Sequence, residues 1–325
     1  MRRSPQAVML VSPQEHDVLP KEPTMSTHQI AGGSVVVGVD GSASSEFALR
    51  WAVSEARRTR RPLHVVHALE NEPVLTDKHQ LGTKEVPASS DPVLTAAMDI
   101  VAAMGPEVAT TPHSITGFAP ATLIAASKIA GTVVVGSHGH SAIPTALLGS
   151  VSDHVAIHAG CPVVVVRGNG TQGGTGSGHV VVGVDGSQAS TPALGYAFAY
   201  AASTGSSLTA IHTWWWEPLE GVSLGEPWIG DWTQIANQEA AVVSELLARW
   251  SQRYPDVPVR SHVVRGDPVV ELLDQSDGAS LLVVGSRGRG GFVGLLLGSV
   301  SRRILKRATC PVAVVRSAGG DQPAA

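Results

Sequence analysis

Two glycine-rich stretches hold the residue types in this sequence best suited to chemistry. The later one runs Gly285, Ser286, Arg287, Gly288, Arg289, Gly290, Gly291, and after residues 292–297 it ends in Gly298, Ser299, Val300 and Ser301. Glycines let a backbone approach an anion closely and turn its N–H groups toward it. A helix opening at Gly298 and Ser299 would add free N–H groups and the positive end of a dipole, which favours phosphate. Arg287 and Arg289 can add charge-assisted hydrogen bonds. The plainer reading is a strand-to-helix connection that uses glycine for turning and Ser299 as an ordinary cap. The earlier stretch has Gly136, Ser137, His138, Gly139 and His140, then Gly149, Ser150, Val151 and Ser152. Here imidazoles stand where the later stretch has guanidinium groups, Ala142 replaces Gly291, and Pro144 interrupts the spacer. Neutral imidazole offers little charge to phosphate at pH 7, so this loop should bind anions more weakly and with more dependence on pH.

Asp40 and Asp185 belong to an octapeptide repeated without change at residues 35–42 and 180–187, together with Gly38 and Gly183. Each aspartate ends a strand beside glycine, so a turn or helix-cap role competes with a ligand contact. Cys161 and Cys310 are the only cysteines, and each precedes Pro-Val at a strand start. They read as small core residues rather than nucleophiles or a disulfide, which points to a reducing compartment. His67 and His212 occupy equivalent strand-two positions and read as packed structural histidines. His154 and His158 stand four apart on a helix, a spacing that can bind metal, but the other copy has no matching cluster and no metal site is assigned. No Gly-x₄-Gly-Lys-Ser/Thr loop is present. Neither glycine loop carries a lysine or a carboxylate placed to orient an attacking water. Slow hydrolysis stays open, but dedicated turnover is not expected.

The elements that must position these residues come in two copies. Besides the octapeptide, residues 147–152 recur as 296–301, and residues 161–167 recur as 310–316 with one change, Ala313. Val35 to Val180 is an offset of 145 and Leu147 to Leu296 one of 149, so the later copy is longer in its divergent middle. The expected organisation is an extension at 1–33 without fixed structure, a domain at 34–167, a linker at 168–179, a second domain at 180–316 and a tail at 317–325. Half of the linker residues are glycine, which makes it a flexible tether spanning about 20 Å. In each copy β-branched runs alternate with amphipathic stretches, opened in the first copy by Ser42 or Ser44, by Asp91-Pro92 and by Pro120. The third strand is placed at 108–115, weakened by Pro112. This alternation predicts an α/β fold, each copy a doubly wound, five-stranded parallel sheet of order 3-2-1-4-5 flanked by about four helices. In that order strands one and four are neighbours at the switch point, where such sheets bind ligands beyond their carboxyl ends. The Asp turn and the glycine loop of each copy would then share one crevice.

Composition narrows the partners. Hydrophobic residues make up 43% of the 325 positions and aromatics only 4%, which suits valine-rich strands buried on both faces. A net charge of −4 and a pI near 6.3 give no basic field to recruit nucleic acid or an anionic membrane. The apolar run near the N-terminus, residues 7–11, is too short for a secretory core, and no stretch approaches a membrane span. A cytoplasmic location is expected. The strand-five runs, residues 163–166 and 312–315, would be exposed apolar edges unless they pair. They are expected to do so, within the chain as a pseudo-dimer and between chains as a homodimer.

The spacing Gly-x₂-Gly-x₉-Gly-Ser, present at Gly136, Gly139, Gly149, Ser150 and again at Gly285, Gly288, Gly298, Ser299, resembles the ATP-binding class of the universal stress protein family. The Gly-Val-Asp-Gly-Ser and Cys-Pro-Val motifs are similar to the same family, and the likeness covers both copies nearly end to end. It implies that ATP, with Mg²⁺, is the ligand. Asp185 and Asp40 would contact the nucleoside, Thr213 and Ala68 at the ends of strand two would line the adenine, and the glycine loops with Ser299 and Ser150 would hold the phosphates. Trp214, Trp215, Trp216, Trp228 and Trp232 then read as a hydrophobic loop that packs on its own domain or covers an interface, or else as a cover over the adenine. Function is expected to be that of an ATP-dependent regulator or sensor in stress response. An ATPase or phosphotransferase and a nucleotide-free interaction module are the alternatives.

Overall fold

The computed structural model describes residues 30–69, 85–139, 148–167, 178–187, 190–214, 232–288 and 296–316. Within these the first half runs β1 (Val35–Val39), α1 (Ala43–Thr59), β2 (Leu63–Leu69), β3 (Glu85–Val86), α2 (Pro92–Met104), β4 (Thr110–Thr116), α3 (Ala119–Ser127), β5 (Thr132–Gly136), α4 (Ser150–His158) and β6 (Val163–Val166). The second half runs β7 (His179–Gly183), α5 (Thr191–Thr204), β8 (Ser207–Trp214), α6 (Trp232–Arg253), β9 (Val259–Arg265), α7 (Pro268–Gln275), β10 (Leu281–Gly285), α8 (Ser299–Arg307) and β11 (Val312–Val315).

Short polar residues set the helix starts. Ser42 caps α1 by accepting from the Ser45 N–H, and Asp91 and Asp267 do the same for α2 and α7, each with proline next in line. A side-chain oxygen in this position satisfies backbone donors that have no partner inside the helix. The central strands need no such device, because the Val-rich runs of β1, β5, β6, β7, β10 and β11 are buried on both faces. Val35, Val37 and Val39 belong to the core cluster that also takes in α1, α2, α5 and α6, while Val36 belongs to the cluster on the other face with α3, α4, α7 and α8.

Among the described residues the strands form one sheet of order β3-β4-β2-β1-β5-β6-β11-β10-β7-β8-β9. Each half therefore has the expected 3-2-1-4-5 order, and β1 lies beside β5 as β7 lies beside β10. The halves join where β6 pairs antiparallel with β11, Val164 opposite Ala313. This corrects one expectation. The strand-five edges are used up inside the chain, so they are not open for a homodimer. Trp51 of α1 stacks on Tyr200 of α5 across the junction at 6.2 Å, with the Arg58 guanidinium 4.8 Å over the same ring.

Three further points differ from the sequence reading. The first sheet gains the short strand β3, antiparallel to β4, so this half is not purely parallel. The folded part begins before residue 34: Ile30 is buried, and the Gly33 N–H donates to the Ile129 carbonyl. The linker ends earlier than expected, since His179 already lies in β7. Residues 1–29, most of the linker and the tail lie outside the described residues.

Candidate functional site

Because β6 and β11 run antiparallel while the five main strands of each half are parallel to one another, the carboxyl ends of the two sets of strands face opposite edges of the sheet. In the second half those ends enclose a cleft of about 480 Å³. Val184, Ile211, Leu272 and Val284 make its apolar wall, and Asp185, Thr213, Arg287 and the backbone of Gly285 and Gly288 its polar rim. Gly298, Ser299, Val300 and Ser301, the entry to α8, close it. The switch-point crevice thus brings together the strand-one turn, the end of strand two, and the glycine loop.

Each polar contributor is held locally. Oδ1 of Asp185 accepts from the Ser187 N–H at 3.0 Å and from its hydroxyl at 2.6 Å, which is the turn role weighed above. Oδ2 faces the loop, only 3.0 Å from where a Cβ on Gly288 would sit. A side chain at 288 would fill the cradle. Helix α8 is capped by Gly298 with no side-chain hydrogen bond, so Ser299 is the first helical residue and not the cap. The N–H groups of the first turn are thereby left to a ligand or to water. Ser301 donates its hydroxyl to the Gly285 carbonyl at 2.6 Å and ties the helix to the end of β10. Ser286 does not line the cleft; it is buried, and its N–H donates to the Val315 carbonyl. Arg289, Gly290 and Gly291 lie outside the described residues.

The first half repeats the frame with different fittings. Asp40 binds Ser42 as Asp185 binds Ser187, and a Cβ on Gly139 would meet Asp40 Oδ2 at 2.5 Å. Gly149 caps α4 without a side-chain bond, and Ser152 donates to the Gly136 carbonyl. The loop's own donors are partly taken, however. The His138 ring bonds the Ser137 hydroxyl at 2.8 Å, and the His138 backbone N–H donates to the Ser44 hydroxyl at 3.4 Å. Ser137 is fully buried, with its N–H on the Val166 carbonyl. Ala68 stands at the end of β2 opposite Ile115. Val151 follows Ser150 in the first turn of α4. His140 lies outside the described residues.

Two glycines have packing reasons that their motif does not announce. A Cβ on Gly38 would fall 2.9 Å from Leu123, and one on Gly183 3.2 Å from Leu272. The two leucines occupy equivalent places on α3 and α7. The apolar cleft wall escaped sequence reasoning, since Ile211, Leu272 and Val284 look like any core residue. His212 is the packed histidine expected, buried with ring nitrogens 2.9 Å from the Val184 carbonyl and from Glu239, and it also borders the cleft, which its position in the sequence did not indicate. Its counterpart His67 pairs with Asp91 at 2.8 Å. Burial pushes the Cys161 thiol up to about 12 and Cys310 to about 11, which suits core thiols and not nucleophiles. Trp214 stacks on Trp232 at 6.1 Å, and Arg265 lies over Trp232; Trp215, Trp216 and Trp228 are outside the described residues. Among the described residues no group of three or more His, Cys, Asp or Glu is arranged for a metal, and no helix is long and apolar enough to cross a membrane.

Known proteins share this arrangement. The model of the universal stress protein family matches residues 33–167 and 176–316. A universal stress protein of Mycolicibacterium smegmatis is 36% identical over 296 residues, covering 87% of this chain and 96% of that protein. One from Mycobacterium tuberculosis is 36% identical over 297 residues with the same coverage. Among solved structures, a universal stress protein from Archaeoglobus fulgidus covers 87% of this chain and 98% of its own, with a TM-score of 0.57 at 22% identity. A putative one from Pseudomonas aeruginosa covers 89% and 94%, with a TM-score of 0.60 at 16% identity. Two repeated domains, two matches to one family and relatives alike along nearly their whole length agree: the chain belongs to the universal stress protein family.

Proposed function

We propose that this chain is a stress-response regulator that holds ATP in the cleft of its second half and acts through the bound state rather than through turnover. The observation that carries the reading is the convergence, on one cleft of about 480 Å³, of an aspartate turn, an arginine and a helix N-terminus capped only by glycine. Val184, Ile211, Leu272 and Val284 would take the faces of the base, and Thr213 and Asp185 would hydrogen-bond the nucleoside. The backbone at Gly285 and Gly288, the first turn of α8 and Arg287 would receive the phosphates. Mg²⁺ is part of the proposal, riding on phosphate oxygens with its waters, as that ion commonly does. The first half is the weaker site, because His138 stands where the second half has the permanently charged Arg287. Two buried free thiols suit a reducing compartment, and the proposed location is cytoplasmic.

Calorimetry with ATP tests the site. Asp185→Ala combined with Gly288→Glu removes a nucleoside contact and puts a carboxylate in the phosphate cradle, so the second-half binding event should disappear. Unchanged affinity in that variant would withdraw the site. Sustained phosphate release should stay below about 1 s⁻¹, against a median near 10 s⁻¹ for enzymes. Faster release would favour an ATPase.

A further inference from the structure

His154 and His158 lie one turn apart on α4, and both are exposed. Residues four apart on a helix share a face, and paired histidines at that spacing form a chelate for transition metals. The second half has Arg303 and Arg307 at the matching positions, so the pair is not part of the repeated frame. The structure adds what the spacing lacks. His154 Nδ1 lies 2.8 Å from the Ser150 carbonyl. A carbonyl only accepts, so Nδ1 carries the proton and Nε2 keeps its lone pair. Histidine ligands are held this way, the far nitrogen donating to a carbonyl or carboxylate while the near one meets the metal. The two rings stack at 6.4 Å with 30° between their planes, and the edge of Phe118 rests against His154 at 6.5 Å. Phe118 is 58% exposed and gives the His154 ring an apolar wall.

We propose that His154 and His158 form a surface site for one divalent transition-metal ion. His154 Nε2 is the preset ligand, and His158 completes the chelate by a side-chain rotation of the kind exposed residues make freely. Water fills the remaining positions. Two imidazoles with no thiolate select copper, nickel and zinc over magnesium and calcium, and among these Cu²⁺ binds tightest. The ion would clamp the last two turns of α4. Arg316 of the second half already holds the Ala156 and Ile157 carbonyls between the two histidines. A metal here would therefore stiffen the contact between halves, independently of any nucleotide.

The experiment uses the full chain without an affinity tag, titrated with Cu²⁺, Ni²⁺ or Zn²⁺ against a chromogenic chelator. Because the sequence has 13 histidines, the difference between variants carries the answer. His154→Ala/His158→Ala should bind one ion fewer per chain, His158→Ala alone should bind at least about tenfold more weakly, and excess Mg²⁺ should not compete. Substoichiometric Cu²⁺ added to the unmodified protein should broaden the ring resonances of His154 and His158 before those of other histidines. Unchanged stoichiometry and affinity in the double variant, or broadening that begins elsewhere, would overturn the proposal.

Discussion

Gly136 shows how one residue can be read correctly by type and incompletely by reason. Its place in the loop motif suggests a backbone left open for phosphate. In the structure a Cβ there would sit 2.7 Å from the Ser44 carbonyl carbon and 2.8 Å from its oxygen, at the start of α1. That neighbour is backbone and cannot turn aside. Gly136→Ala should cost about 1–3 kcal/mol, the usual range for overpacking, read as a lower urea midpoint. Gly183→Ala should cost less, because the atoms it meets are the tip of the Leu272 side chain. The motif was legible in sequence, but the close approach needed two distant segments in place. The same holds for His64 and His113, 49 residues apart and joined at 2.9 Å in the interior. The Ala31 N–H donates to His64 Nε2, so Nδ1 carries the proton toward His113. Burial first, and then the neighbouring His113, hold the His64 pKa below its ordinary value. Below about pH 6.5 the unfolded chain takes up a proton that the folded state resists, so stability falls as pH drops. The melting temperature should decrease from pH 7 to pH 5, and the variant His64→Leu/His113→Leu should flatten that slope. An unchanged slope would mean the pair is not its source.

Helices α4 and α8 begin and end alike, and both ends depend on something outside the helix. Their starts are capped only by glycine. Their last carbonyls are held from the opposite half: Arg167 donates to the Leu305 carbonyl, and Arg316 to those of Ala156 and Ile157. Arg167 and Arg316 are equivalent in the repeat, as are Ala156 and Leu305, so the contact is reciprocal. A cation at a helix C-terminus meets the negative end of the dipole, and partial burial strengthens it. Arg167→Ala should destabilise the protein by about 1–2 kcal/mol. Arg50→Ala, breaking an exposed pair with Glu46, should cost no more than about 0.5 kcal/mol. Thermal melts of the two variants make the comparison, and equal losses would remove any special role for the reciprocal grip. Element boundaries were legible where a cap or proline marks them, as at Ser42 and Asp91-Pro92. They were not where a turn borrows strand-like residues. Val108 looks like strand, but its N–H closes a turn onto the Gly105 carbonyl, and β4 starts at Thr110. The two-residue β3 is too short to leave any periodic signal.

Joining the halves through β6 and β11 makes one continuous sheet and sends the two glycine loops to opposite edges, so they cannot share a ligand. The repeated strand five foretold that its edge must be covered, and only the pairing shows that the cover is internal. An uncovered strand edge of this kind is a template for association. The register sets Val312 against Val165, Ala313 against Val164, and Val314 against Val163. Such an antiparallel pairing is nearly two-fold, and β11 differs from β6 by one residue, so β11 can replace β6 with a second copy of itself. The stacked Trp51 and Tyr200 would be replaced less well, because Tyr196 stands at the position equivalent to Trp51. The isolated fragment 178–325 should therefore form a homodimer in sedimentation at micromolar concentration, weaker than the covalent pairing it mimics. The full chain at equal concentration has no strand-five edge to offer. A fragment that stays folded and monomeric would show that the edge does not drive association. The grip of Arg167 and Arg316 and the aromatic stack would then be what holds the halves together.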